Sequence, residues 1–80
     1  MFVLVTYDIN TQSSEGARRL RKVAKVCLNY GQRVQNSVFE CLVNEAQLRE
    51  IEQKLTKIIN EDKDSLRFYR LGDNYDRKVK

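Results

Sequence analysis

The sequence predicts an α+β domain in which an antiparallel four-stranded sheet carries two helices on one face. Three observations predict it. Apolar residues recur in the order strand, helix, strand, strand, helix, strand. The chain has eighty residues, the size of one domain. The first strand is apolar on both sides, so both faces of the sheet it belongs to need cover.

Residues 2–8, FVLVTYD, are rich in β-branched and aromatic side chains and form the first strand. Alternation places Phe2, Leu4, Thr6 and Asp8 on one face and Val3, Val5 and Tyr7 on the other. TQSSEG is a turn and helix start, with Ser13 or Ser14 as N-cap. The helix runs to about Asn29 on an apolar side of Ala17, Leu20, Val23, Ala24, Cys27 and Leu28, and Gly31 is placed to end it in a left-handed conformation. Residues 33–43, RVQNSVFECLV, hold two short strands or one bent strand, with Asn36–Ser37 as the bend. Asn44 caps a second helix and Gln47 completes a capping box; Leu48, Ile51, Leu55, Ile58 and Ile59 are its apolar stripe. NEDKD ends that helix, SLRFYRL at 65–71 is the last strand, and the polar tail at 72–80 frays unless a partner orders it. This order is the split βαβ, ferredoxin-like arrangement, βαββαβ, as a single domain over residues 1–80. It leaves one sheet face bare. Because the first strand is apolar there too, a second copy of the chain is the expected cover, and the tail could pair with that copy's sheet edge.

Composition excludes several chemistries. Without histidine, a Ser–His–Asp triad is impossible and a cysteine nucleophile has no imidazole to activate it. Cys27 and Cys41 lie among apolar residues, far from any CxxC spacing, as reduced core residues of a cytoplasmic protein. A structural zinc site is therefore not expected. No apolar run reaches the roughly 20 residues of a membrane span. The start MFVLV is too short for a signal h-region and lacks a basic n-region.

The net charge is +4, unevenly spread: residues 1–33 carry six Lys/Arg against two acids, and residues 34–64 carry four against seven. Arg18, Arg21, Lys22 and Lys25 form a helix side with Arg19 on its flank, and Glu15 is the single acid between Asp8 and Glu40. Such a stripe is either a solvated helix face or a surface for phosphates. Arg33 and Arg67 lie on strands, where an arginine more often has a specific partner. Tyr7, Tyr30, Phe39, Phe68 and Tyr69 fit core or interface packing better than base stacking. Asp8 has two readings. It is a turn or cap residue, the commoner case at a strand end, or it holds a hard cation such as Mg2+. One carboxylate per chain is thin for a metal site, but two copies meeting across a symmetry axis would bring two together.

The segments VTYDIN, RLRKVAKVCLNYGQRVQNSVFECLV and DSLRFYRLGDNY resemble the CRISPR-associated protein 2 family over nearly the whole chain. YGQRVQNSVFE is closest to the branch found with type I-C systems. The resemblance implies a ferredoxin-like homodimer in spacer acquisition, an antiviral defence. It also implies a magnesium-dependent endonuclease on double-stranded DNA or single-stranded RNA. Its metal-linked acid falls on Asp8, with Tyr7 before it; Arg18 or Arg19, Arg33 and Phe39 match positions tied to activity or dimer structure. It further implies a partner, the CRISPR-associated protein 1 integrase, beside which members act mainly as a DNA-holding scaffold. Family chains often continue past the position of Lys80 with a strand that crosses to the other protomer. Three functions follow as expectations: a nuclease using Asp8 with Mg2+, a DNA scaffold using Arg18, Arg19, Arg21, Lys22, Lys25 and Arg33, and, more weakly, an RNA-cleaving toxin.

Overall fold

The computed structural model describes residues 1–72, as β1 (Phe2–Asp8), α1 (Ser14–Leu28), β2 (Gly31–Gln35), β3 (Val38–Leu42), α2 (Glu45–Ile58) and β4 (Ser65–Gly72). The strands pair antiparallel in the spatial order β2-β3-β1-β4. Each helix thus joins two parallel strands that have a third strand between them, which is the split βαβ topology. The predicted element order and fold class hold. Residues 33–43 resolve into the end of one strand and the whole of another, joined by the turn at Asn36–Ser37. The tail from Asp73 onward, and with it the expectation of fraying or edge pairing, lies outside the described residues.

The core lies between the helices and one sheet face. Val3, Val5 and Tyr7 of β1 and Phe39 and Cys41 of β3 pack against Val23 and Cys27 of α1 and Leu48, Ile51 and Leu55 of α2. Fully burying one such large apolar side chain contributes about 1.5–3 kcal/mol, so the three on α2 outweigh its cap. That cap is the expected box: Asn44 Oδ1 accepts from Gln47 N at 2.8 Å, and Asn44 N donates to Gln47 Oε1 at 2.9 Å. On α1, Ser13 is the N-cap and its Oγ accepts from Gly16 N at 3.0 Å.

Two local expectations are corrected. Gly31 does not end α1 in a left-handed turn. Asn29 is the C-cap, right-handed at φ −73° and ψ −16°, and Gly31 opens β2. Its glycine is needed for closeness rather than for a positive φ, because a Cβ there would strike the Glu40 carbonyl and Cys41 Cα of β3. Leu28 leaves the apolar stripe and is 56% exposed. Each four-residue step overshoots a full turn by about 40°, so the row Leu20, Ala24, Leu28 rotates away from the sheet.

The other face of the sheet carries no helix. Phe2, Leu4, Thr6 and Val38 are half-buried there, and Leu42 and Tyr69 are 63% and 47% exposed. This is the apolar second face that the alternation of β1 predicts.

At one end of the sheet, Asp64 ties four segments together. Its side chain is fully buried. It accepts from Arg19 Nε at 2.8 Å and Nη2 at 3.3 Å, from the Asn10 amide at 3.0 Å and from the Asn60 amide at 2.8 Å. Burial alone would raise its pKa; the Arg19 guanidinium and the two amides outweigh burial and hold it below the ordinary carboxylate range. A carboxylate whose folded-state pKa is depressed stabilises the fold above its unfolded value, and that contribution is lost as pH falls through the folded value. Asp64→Ala is expected to lower unfolding stability by about 3 kcal/mol in urea titrations, leaving Arg19 buried without its counter-charge. Asp64→Asn is expected to flatten the loss of stability below about pH 4. Identical acid limbs for wild type and Asp64→Asn would show that the carboxylate is not the group responsible.

Candidate functional site

Asp8 is the last residue of β1, a strand with partners on both sides; it is paired with Ser65 of β4, while the ladder to β3 ends at Thr6. The Tyr7 amide donates to the Ser37 carbonyl at 3.1 Å, which binds this end of β1 to the turn before β3. On the other side Asp8 stands opposite Ser65 and Thr6 opposite Arg67. The Asp8 side chain projects from the helix-free face and is exposed. It shares a depression with Thr6, Tyr7, Ser37, Val38, Ser65 and Arg67. The Asp8 side chain has no hydrogen bond or ion pair with any described residue, so the turn-capping reading of this acid finds no support there.

The donors around the depression are one carboxylate and the hydroxyls of Thr6, Ser37 and Ser65. These are hard oxygen ligands, the class that Mg2+ takes. Among the described residues no three His, Cys, Asp or Glu side chains converge. The chemistry of the set fits magnesium, but it holds a single carboxylate.

The other singled-out residues divide between support and surface. Tyr7 and Phe39 are buried on the helix side of the sheet, with ring centroids 6.1 Å apart. Burial, seconded by the Cys27 thiol, raises the Tyr7 pKa against the opposing pull of Arg33. Its hydroxyl therefore stays protonated near neutral pH, and it lies close to the Asn36 carbonyl at 3.5 Å. The Arg33 guanidinium sits 5.1 Å from the Phe39 ring centroid, a cation–π contact. Arg18, Arg21, Lys22 and Lys25 are exposed and have no acidic partner among the described residues. None of them lines the Asp8 depression. Arg21 and Arg33 instead share a second one with Tyr7, Leu20, Ala24, Asn36 and Ser37, so the two depressions meet at Tyr7 and Ser37.

Arg19 departs from the expectation that it belongs to the phosphate-facing stripe. Its side chain is only 17% exposed and its guanidinium is committed to Asp64. The helical flank position turns it inward toward the loop before β4, whereas Arg18 stays outside. The sequence reading did not place Arg67, Ser37 or Ser65 in the site. For Ser65 and Arg67 the signal was the run Ser65, Arg67, Tyr69 on one strand face, which needs the β1–β4 register to bring it beside Asp8, and Ser37 stood only as part of the Asn36–Ser37 bend.

The family profile described as CRISPR associated protein Cas2 matches residues 1–79. The chain belongs to the Cas2 family. It is 63% identical to the CRISPR-associated endonuclease Cas2 of Halalkalibacterium halodurans, over 99% of this chain and 82% of that protein. It is 56% identical to a CRISPR-associated endoribonuclease Cas2 of Moorella thermoacetica, over 89% of this chain and 74% of that protein. Among solved structures, Streptococcus pyogenes Cas2 superposes with a TM-score of 0.91 at 59% identity, covering all (100%) of this chain and 96% of that one. The fold expected of a Cas2 chain is thus present here. Among the described residues, no helix is long and apolar enough to cross a membrane.

Neither cysteine lines the Asp8 depression, and both thiols are buried in the core. Burial, with the second thiol nearby, pushes Cys27 up to about 12, and burial with the Glu40 charge pushes Cys41 up to about 11. Neither thiol is expected to react with iodoacetamide at pH 8 in the native protein, and both are expected to react once guanidinium unfolds it. Alkylation of the native chain at the rate of a free cysteine, read by mass spectrometry, would place a thiol outside the core.

Proposed function

We propose that this Cas2 chain is a nuclease of CRISPR spacer acquisition that hydrolyses phosphodiesters as a homodimer, with Asp8 of each copy at the seam. One observation carries the reading: a carboxylate at the end of the strand that pairs with both β3 and β4, exposed beside hydroxyls and without a side-chain partner among the described residues. The names of the relatives, endonuclease and endoribonuclease, support the reaction class. The half-exposed apolar face of Phe2, Leu4, Val38, Leu42 and Tyr69 supports the second copy. The reading requires that joining two such faces bring the two Asp8 carboxylates together.

Mg2+ is the cofactor of this reading, and Asp8 is the residue that would hold it; when bound it supplies Lewis-acid stabilisation of charge on the phosphate. The protein's own share is geometric. The ladder to β4 and the Tyr7–Ser37 backbone hydrogen bond hold the end of β1 that carries the carboxylate, and the Ser37 and Ser65 hydroxyls can orient a phosphate oxygen or a water. Double-stranded DNA is the proposed substrate, drawn to Arg18, Arg21, Lys22, Lys25 and Arg33 by charge without base readout. The endoribonuclease name of the Moorella relative favours a second reading, cleavage of single-stranded RNA. The basic side of α1, without an acidic partner among the described residues, equally suits a scaffold that holds DNA for the CRISPR-associated protein 1 integrase, with Asp8 idle.

Two measurements separate these readings. Asp8→Asn is expected to abolish magnesium-dependent cleavage of duplex DNA while leaving duplex affinity equal or higher, since a charge that repels phosphate is gone. Cleavage surviving in the purified variant would remove Asp8 from the reaction. Replacing Arg18, Arg21 and Lys22 together by Ala is expected to weaken binding and to reduce the slope of log affinity against log salt by up to about 3. An unchanged slope would put the DNA path elsewhere on the surface.

A further inference from the structure

Three arginines lie on the strands of the described residues, and two have a described side-chain contact. Arg33 stacks over Phe39, and Arg70 Nη1 donates to Glu45 Oε2 at 2.7 Å. The Arg67 side chain is exposed and has no hydrogen bond, ion pair or ring contact with a described residue. It lines the Asp8 depression, from the position opposite Thr6 on β4. Asp8 and Arg67 are therefore diagonal cross-strand neighbours on one face, an arrangement that separates side-chain origins by about 7–8 Å. They share the depression, yet no ion pair of 4.0 Å or less joins them. Even when formed, an exposed pair of this kind is worth only about 0–1 kcal/mol, so it would yield to a better partner for either charge.

The better partner for Arg67 is a phosphate. A phosphodiester cannot approach Asp8 unaided, because both are anions. Arg67 places a permanent cation on the same depression, with a planar fork that matches two non-bridging phosphate oxygens. Ser37 and Ser65 add hydroxyl donors beside it. We propose that Arg67 contacts the substrate at the Asp8 site, holding the non-bridging oxygens of the phosphodiester that the site acts on. This rests on the nuclease reading above. It divides the labour within one chain: Asp8 for the cation, Arg67 for the phosphate. Because its target is a backbone phosphate, the contact is indifferent to base sequence.

The test has one arm independent of cleavage. Inorganic phosphate is titrated into 15N-labelled protein without divalent cations. Saturable shifts are expected at the Arg67 side-chain Nε–H and at the amides of Ser37 and Ser65. In Arg67→Ala the Ser37 and Ser65 shifts are expected to vanish while those along α1 remain. Shifts confined to α1, or Ser65 shifts that survive in Arg67→Ala, overturn the proposal. In the second arm, Arg67→Ala is expected to lower kcat/KM for magnesium-dependent cleavage about 100-fold, with duplex affinity changed less than about threefold and Arg67→Lys recovering part of the loss. Undiminished kcat/KM also overturns it. A wild type that cleaves neither duplex DNA nor single-stranded RNA defeats the nuclease reading alone, and the phosphate titration still decides Arg67. If Arg67→Ala instead splits the dimer in sedimentation while the phosphate shifts at Ser65 persist, the guanidinium serves the seam and the assignment fails. Exposure and the lack of a described partner make loss of folding on substitution unexpected, and a thermal melt checks this.

Discussion

Asp64 is a buried anion surrounded by donors from three directions, and the working end of the sheet is organised around it. Its carboxylate takes the Asn10 amide two residues beyond Asp8, the Arg19 side chain one turn into α1, and the Asn60 amide just after α2. The next residue, Ser65, begins β4 opposite Asp8. A buried carboxylate is tolerated only when its oxygens are satisfied, and here four hydrogen bonds do so. The same bonds leave little freedom in where β1 ends and where β4 starts. Asp8, Ser65 and Arg67 hold their relative positions for that reason, although Asp64 itself faces away from the depression they line.

The glycine at position 16 belongs to this arrangement. A Cβ there would strike the Asn10 carbonyl, so only glycine lets α1 begin tight against the chain leaving β1. That closeness carries Arg19 to within reach of Asp64. The pair also explains why adjacent arginines on one helix differ in role. Arg18 remains in solvent, while Arg19 is drawn into a bond network at the floor of the loop.

Local pattern was enough to read the elements. The alternation in residues 2–8, the Asn44–Gln47 box and the α2 stripe each act over a few residues, and each reappears in the structure. The second apolar face of the sheet was legible for the same reason. What was not legible depends on contacts distant in sequence. Asp64 and Asp62 lie in the same polar run, and only the fold distinguishes the buried one from the exposed one. Arg67 stood out as a strand arginine, but placing it beside Asp8 needs a register between segments some sixty residues apart. Leu28 was misread because a helical stripe near a terminus drifts off its neighbour with no local sign of doing so.

The turn at Asn36–Ser37 is the rim between the two depressions, one open to the helix side and one to the bare side. In strands, facing is a matter of parity: Arg33 stands opposite Phe39 and shares its side of the sheet. Adding one residue to this rim and sliding β2 to absorb it would reverse that parity and turn the guanidinium from one hollow to the opposite side. The length of this two-residue link, together with the bulge between Arg33 and Gln35, therefore selects which surface of the protein receives this positive charge.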